Sequence, residues 1–451
     1  MLSVWRCLEG PKLVILLEIP SLRQLRAFEA AARLESVSAA AREVNLSQPG
    51  LTQSIHALEA RLNARLFDRR RSGCYATPLG AVLLPRVRRF FEQIGAALSE
   101  PVIGSPIVGR DAVVASVSKI TGLQIRSLIA IAESPSIEAA ARRLDISQPS
   151  LYRPARDLER ELRRSLYQRT AQGVTANVQG AELARRFQVA VREIEYGLEE
   201  LHAAQGSVVS RIVVGNIPHS GERVLSAAVD ALLASYPTAR VQVVDGHYDA
   251  LLDDLRAGRL DLLFGVLRRP AWATDVEEEL LFDNPYVVVA RAGHPLGRAR
   301  RLTPRELARY EWIMPEAGAP RRQAFERMFA ALPRLPRVSI EATSLSVYRS
   351  ILAGSDRLTL MSRLAAQASE SAALAVLRFR SPHLRRRAGV ASRTEWHPTH
   401  VHLRFLQLLR AEARKVAGGG NSSTRAAKRR GFGNAQDDGS ALVVASQFEI
   451  I

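Results

Sequence analysis

Two stretches of this 451-residue chain, 21–98 and 121–204, are copies of one structural unit, and that repetition limits the fold more than any other feature. Ser47-Gln48-Pro49-Gly50-Leu51 recurs as Ser147-Gln148-Pro149-Ser150-Leu151. The same offset carries Ala39-Ala40-Ala41-Arg42 onto Ala139-Ala140-Ala141-Arg142, Leu58-Glu59 onto Leu158-Glu159, Arg69 onto Arg169 and Gly80 onto Gly180. A gap-free match of that length fixes the same order of elements twice.

Within the first copy, Leu22, Leu25 and Phe28 make an apolar stripe that predicts a helix over 22–32. The Ala-rich segment 37–44 predicts a second, whose small side chains let a neighbour approach. Asn45 suits a left-handed turn residue. Ser47 is a natural N-cap, Pro49 falls in the first turn where its missing N–H costs nothing, and the third helix runs to about Leu62. Residues 69–77 read as two short strands around Ser72-Gly73. This is a winged helix-turn-helix whose third helix exposes Gln48, Thr52, Gln53 and His56, amides and small hydroxyls suited to base edges in a major groove. The alternative for such a bundle is a protein-interaction surface with a polar face.

Charge points the same way without deciding. The formal net charge is +18, nearly all of it arginine, which suits a polyanionic partner but also follows from a GC-rich genome. Residues 21–100 hold twelve Arg against seven acidic residues, and residues 121–205 hold twelve against eleven, so the first copy is the stronger candidate for phosphate contact. Cys7 and Cys74 have neither metal nor disulfide spacing, which fits a reducing compartment. The early apolar run 13–17 is too short for a signal core or a membrane span, so a cytoplasmic, nucleoid-associated protein with no membrane partner is expected. Residues 1–20 read as an N-terminal extension.

Beyond residue 210 the pattern changes to alternating strands and helices. Strand 211–215, helix 222–235, strand 240–244, a helix to Gly258 and strand 260–265 imply a parallel sheet with crossover helices. A second half follows through strands near 286–290, 312–315, 338–341 and 358–360, with a helix over 344–353. The chain then returns through 376–379 and 389–392 to a last helix over 398–416. Two α/β lobes joined by crossing strands leave a cleft at the carboxyl ends of their strands. The Gly-, Ser- and Arg-containing tail 417–451 reads as disordered.

Several strings carry a family resemblance. Leu-Arg-Gln-Leu at 22–25, Ser-Gln-Pro at 47–49, Leu-Phe-Asp-Arg at 66–69 and Thr-Pro-Leu-Gly at 77–80 resemble the DNA-binding module of LysR-type transcription regulators. Asp261-Leu262-Leu263-Phe264-Gly265 resembles a strand motif of that family's effector domain. The implied fold is α/β overall: two all-α winged helix-turn-helix modules (21–98 with a short linker helix, 121–206 with a long one) joined by a linker over 99–120. A two-lobed, periplasmic-binding-protein-like effector domain follows over 210–416. The resemblance makes Ser47, Gln48, Pro49, Thr52, Gln53, His56 and Arg69 the DNA contacts of the first module. In the second they are Ser147, Gln148, Pro149, Tyr152, Arg153 and Arg169. Gln53 stands where the family commonly has Arg, Tyr152 replaces a small hydroxyl residue, and Pro154 is expected to kink or shorten the second recognition helix.

By the same resemblance, each linker helix pairs two subunits in a homodimer or homotetramer. Asn216, His219, Ser220, Gly265, Arg268, Ser344 and Ser362 are expected to line the effector pocket. A helix N-terminus after Ser220, together with Arg268, suits a carboxylate effector. The expected function is sequence-specific binding of double-stranded DNA under small-molecule control, with no cofactor. The alternative is an effector-independent architectural protein that bridges DNA with both modules. A solute-binding protein lacks its signal segment, and an enzyme lacks any phosphate loop, nucleophile elbow or carboxylate pair. The histidines at 397, 400 and 402 match no common metal spacing.

Overall fold

A computed structural model describes residues 20–70, 73–99, 109–171, 173–207, 210–268, 270–368 and 373–428. The first module consists of α1 (Leu22–Leu34), α2 (Val37–Glu43), α3 (Gln48–Leu62), the hairpin β1 (Phe67–Arg70) and β2 (Gly73–Ala76), and the linker helix α4 (Pro78–Ser99). After α5 (Arg110–Lys119), the second repeats it as α6 (Gly122–Glu133), α7 (Ile137–Arg143), α8 (Gln148–Leu162), β3 (Tyr167–Thr170), β4 (Gly173–Ala176) and α9 (Val178–Ala204). The local chemistry is the same in both. Ser47 and Ser147 cap α3 and α8 through their hydroxyls, and Asn45 and Asp145 take left-handed φ values of 54° and 53° in the turns. Glu59 and Glu159 each accept two backbone N–H bonds at the wing entrance, from Leu66 and Phe67 and from Leu166 and Tyr167.

The effector domain has two lobes. Lobe I is built from β5 (Arg211–Asn216), α10 (Glu222–Ser235), β6 (Arg240–Asp245), α11 (Tyr248–Arg256), β7 (Leu262–Val266) and β8 (Val276–Asp283). Lobe II holds β9 (Tyr286–Arg291), α12 (Pro304–Leu307), β10 (Trp312–Met314), α13 (Pro320–Phe329), β11 (Val338–Glu341), α14 (Leu345–Ala353), β12 (Thr359–Ser362), α15 (Arg363–Ala368) and β13 (Leu374–Val376). The chain returns to lobe I through β14 (Arg387–Arg393) and ends on α16 (His400–Lys428). The lobe I sheet runs β6-β5-β7-β14-β8, with β5 parallel to β6 and β7, and β14 antiparallel to β7 and β8. Lobe II combines an antiparallel β12-β9-β13 sheet with the parallel pair β10-β11. The two crossings are β8 to β9 and β13 to β14, the two-lobed α/β arrangement expected from the strand order.

Four features differ from the sequence reading. Residues 110–119, within the expected linker, form α5, whose last carbonyls and that of Ile120 accept bonds from the Arg26 guanidinium on α1, a cap supplied from outside the segment. Strand β8 is not expected from the sequence pattern, because its Glu-rich sequence suits an exposed sheet edge rather than a core strand. Helix α16 continues through residues 417–428, read as tail, because propagation adds a bond per residue without a new nucleus once residues 401–413 are anchored. Residues 429–451 lie outside the described residues, as do 1–19. Pro154 does not shorten α8, which has the fifteen residues of α3; burial of Leu151, Ala155, Leu158 and Leu162 holds the helix together around it.

The seam expected between subunits is made within one chain. Helices α4 and α9 pack on each other, and the apolar core is continuous from Leu22 in the first module to Leu201 at the end of α9.

The glycines carried over by the repeat mark the tightest contacts. A Cβ on Gly80 would lie 2.3 Å from the Leu66 carbonyl oxygen, and one on Gly180 would lie 2.0 Å from that of Leu166. Gly80→Ala and Gly180→Ala should each destabilise the chain by roughly 1–3 kcal/mol in guanidinium unfolding. Gly297→Ala, where nothing lies within 4 Å, should leave the midpoint unchanged.

Candidate DNA interface and effector cavity

The recognition helices present the expected faces. Ser47, Gln48, Pro49, Gln53 and His56 are exposed and Thr52 is half-buried on α3; Ser147, Gln148, Pro149 and Arg153 are exposed and Tyr152 is half-buried on α8. Gln48 donates to Ser38 Oγ at 2.6 Å, so its amide is already oriented by α2. Tyr152 accepts from Arg156 at 2.7 Å and lies under its guanidinium. Arg169 is exposed on β3. Arg69 stands on β1 opposite Cys74, and its side chain lies outside what is described. Two polar N-terminal helix faces flanked by arginine-bearing wings have the form of DNA readers.

Between the lobes lies a cavity of about 430 Å³, of a size that takes a small ligand. Of the residues expected there, His219, Arg268, Ser344 and Ser362 line it, together with Val266 and Met361. Asn216, Ser220 and Gly265 do not; they stand behind it. Asn216 Nδ2 donates to Asp245, Ser220 Oγ accepts from Arg386 at 2.8 Å, and Gly265, at φ 151°, leaves no room for a Cβ beside Ile217.

The anion site pictured at the helix start after Ser220 is already filled. The Glu222 carboxylate folds back to accept from the His219 and Gly221 amides. Arg268 is likewise engaged, lying over the Tyr248 ring and 3.7 Å from Asp249.

The cavity's unmatched charge comes from elsewhere. Arg321, on α13 of lobe II, donates to Tyr348 Oη at 2.9 Å and to the Leu360 carbonyl. Arg386, at the return into lobe I, donates to the His219 carbonyl and to Ser220, and its Nε is buried without a partner. Both are buried, and among the described residues neither has a carboxylate within ion-pair distance, the Glu222 charge reaching Arg386 only from farther off. Burial and then the Arg321 charge depress the His219 pKa, so its imidazole is neutral at pH 7. His219 also holds a left-handed φ of 64°, an uncommon conformation for a non-glycine residue at a cavity wall. Tyr248, Tyr286 and Tyr348 supply aromatic walls.

Neither Arg321 nor Arg386 was legible in the sequence. Arg321 belongs to a short helix with weak apolar periodicity, and Arg386 sits in a run of three arginines that reads as a solvated surface.

A buried polar hub joins the cavity domain to α9. Asp261 accepts from the Val213 amide at 2.7 Å, from Tyr196 Oη at 2.5 Å and from Arg192 at 3.1 Å, and His402 Nε2 lies 3.4 Å away. Burial alone would raise the Asp261 pKa; Arg192, then His402 and Tyr196, more than offset it and hold the carboxyl far below the usual range. The three histidines near the start of α16 diverge. His397 bonds the Glu395 carbonyl, His400 meets the Tyr236 ring edge-on, and His402 turns into the hub.

A winged-helix DNA reader coupled to a two-lobed small-molecule receptor defines a class of transcription regulator. Residues 205–414 match the LysR substrate binding domain, and residues 22–81 and 123–181 each match the bacterial regulatory helix-turn-helix protein, lysR family. An HTH-type transcriptional regulator, GalR of Pseudomonas putida, is 30% identical over 76% of this chain and 85% of its own length. A probable hydrogen peroxide-inducible genes activator of Streptomyces viridosporus is 30% identical over 60% of this chain and 87% of its own. A full-length OxyR variant from Pseudomonas aeruginosa shares the fold with a TM-score of 0.50 and 21% identity, over 65% of this chain and 94% of that one. The chain belongs to the LysR-type family of transcriptional regulators and is a DNA-binding regulator with an effector-binding domain. Among the described residues no single helix is long and apolar enough to cross a membrane.

The hub generates two expectations. Asp261→Asn removes the charge on which Arg192, Tyr196 and His402 converge and leaves Arg192 paired with Glu195 at 2.6 Å, and should cost about 1–3 kcal/mol in urea unfolding at pH 7. Glu199, on α9 near Arg192, is pushed up to about 8 by burial. The folded chain therefore keeps a proton there that the unfolded chain loses above about pH 4.5, and stability falls as pH rises from that value towards 8. Glu199→Gln should raise Tm, and by more at about pH 8.5 than at about pH 6.

Proposed function

We propose that α3 and α8 read operator DNA and that the inter-lobe cavity binds a small organic carboxylate with an apolar or aromatic body. In this reading residues 21–98 and 121–206 are the DNA-binding modules and 210–416 the effector domain of a cytoplasmic, nucleoid-associated, non-enzymatic regulator that self-associates as a homodimer or homotetramer. Ser47, Gln48, Pro49, Thr52, Gln53, His56 and Arg69 contact DNA from the first module. Ser147, Gln148, Pro149, Tyr152, Arg153 and Arg169 do so from the second.

The observation that carries the effector assignment is the pair of buried guanidinium groups, Arg321 and Arg386, contributed by different lobes and lacking a carboxylate partner among the described residues. A bound carboxylate gives both a charge-assisted hydrogen-bond acceptor and draws the lobes together. His219 and Ser344 add polar contacts and the tyrosines cover the ligand's body. Movement of lobe I reaches the DNA-binding modules through Asp261 and Arg192, because β5 and α9 share that carboxylate. Differential affinity of the ligand for open and closed lobes is what such coupling requires.

Thermal-shift titration with benzoate and other small carboxylates, each beside its amide, tests the cavity. Carboxylates should raise Tm and amides should not, and Arg321→Met or Arg386→Met should weaken the response roughly tenfold or more. A response shared equally by amides would remove the carboxylate assignment. Footprinting on DNA flanking the protein's own gene tests the reader, where Gln53→Ala should weaken protection by roughly five- to a hundredfold.

A further inference from the structure

The α4–α9 seam has the features of a dimer interface while lying inside one chain. Arg86 on α4 bonds Glu193 at 3.0 Å and Glu200 at 2.5 Å on α9, and Arg89 bonds Glu193 at 3.0 Å. Gly197 is the point of closest approach, since a Cβ there would lie 2.9 Å from Arg86 Cβ and 3.0 Å from Leu83. The early part of α4 thus meets the late part of α9, and the helices run antiparallel.

Each linker helix also ends against the other module. The end of α4 reaches the residue after the recognition-helix cap of the second module, with Arg164 donating to the Leu98 carbonyl at 2.9 Å. The end of α9 reaches the recognition-helix cap of the first, with Gln205 donating to the Asn63 carbonyl at 2.9 Å. Each linker helix therefore ends against the opposite module, near the carboxyl end of its recognition helix, although the residues in the two contacts are not equivalent.

Nothing of the central part of α9 is left over for another chain. Residues 190–197 are all buried, eight in succession and so on every face of the helix, with α4 on one side and the Asp261 hub on the other. The buried charges in the seam are matched internally, Arg86 by Glu193 and Glu200.

We infer that one chain is by itself a paired DNA-reading unit: the seam clamps its two winged modules into an internal pair that reads two unlike half-sites. A homodimer presents two identical helices and suits a palindrome. Here the equivalent positions carry Gln53 and Arg153, and Thr52 and Tyr152. Gln suits adenine and Arg suits guanine in the major groove, so the two half-sites differ in sequence. Self-association through other surfaces then multiplies complete readers instead of completing them. The inference rests on both modules being DNA readers, as proposed above.

Subunit mixing separates pairing within a chain from pairing across chains. Gln53→Glu and Arg153→Glu place a repelling carboxylate on exposed, equivalent positions of the two recognition helices and leave both cores untouched. Each variant alone should bind DNA flanking the protein's own gene roughly tenfold or more weaker than the unmutated chain. The two are then co-expressed with different tags and purified through both. Mixed species that bind as weakly as either variant are the expected result, because neither chain holds an intact pair. Recovery of tight binding in the mixed species would overturn the inference, since only pairing across chains assembles an unmutated α3 with an unmutated α8. An Arg153→Glu chain that binds like the unmutated one would overturn it as well, by showing that the second module reads nothing. Failure of the unmutated chain to protect this DNA would defeat the DNA-reading assignment itself, and is told apart because it appears before any variant is compared.

Discussion

The carboxylate of Asp261 is the point on which the arrangement of this molecule turns. It stands just before β7, is fully buried, and accepts bonds from the first strand of the effector domain and from two side chains of α9, with the imidazole of His402 on α16 alongside. A charge in that position is tolerable only because Arg192 faces it and the remaining lone pairs are satisfied. The same bonds hold the linker helix of the second module against the lobe I sheet, so the geometry between the two is set by electrostatics that water does not screen. A purely apolar contact would allow sliding; a directed set of hydrogen bonds around one carboxylate does not.

What the sequence disclosed and what it concealed divide along a physical line. The turn at Asn45, the caps at Ser47 and Ser147 and the polar face of α3 were legible because each depends on residues within one or two turns of itself. Offset identity doubled that information. The strand order of the effector domain was legible because alternating period-two and helical patterns imply crossover units. Its edge strand β8 was not, since an exposed strand carries the glutamates that core strands exclude.

The cavity was legible only as a place. His219, Arg268, Ser344 and Ser362 fell on its wall because loops at the carboxyl ends of strands do so by topology. Which charges remain unmatched there is a non-local matter. Glu222 neutralises the helix start from within its own turn, and Asp249 lies within ion-pair reach of Arg268. Arg321 and Arg386 arrive from segments whose sequence reads as surface. The intrachain seam was hidden for a related reason: a stripe of apolar residues shows that a helix face is covered, not whose helix covers it.

The placement of Arg321 and Arg386 on opposite lobes gives the cavity a mechanical character. Two like charges in a low-dielectric cleft repel, and each depends on neutral oxygen acceptors for relief. The Glu222 carboxylate offsets part of that repulsion at Arg386. In the proposed mode a carboxylate seated between the lobes would give both guanidinium groups the anionic acceptor that neutral oxygens do not supply, so ligand charge and lobe closure would be coupled through the same two side chains.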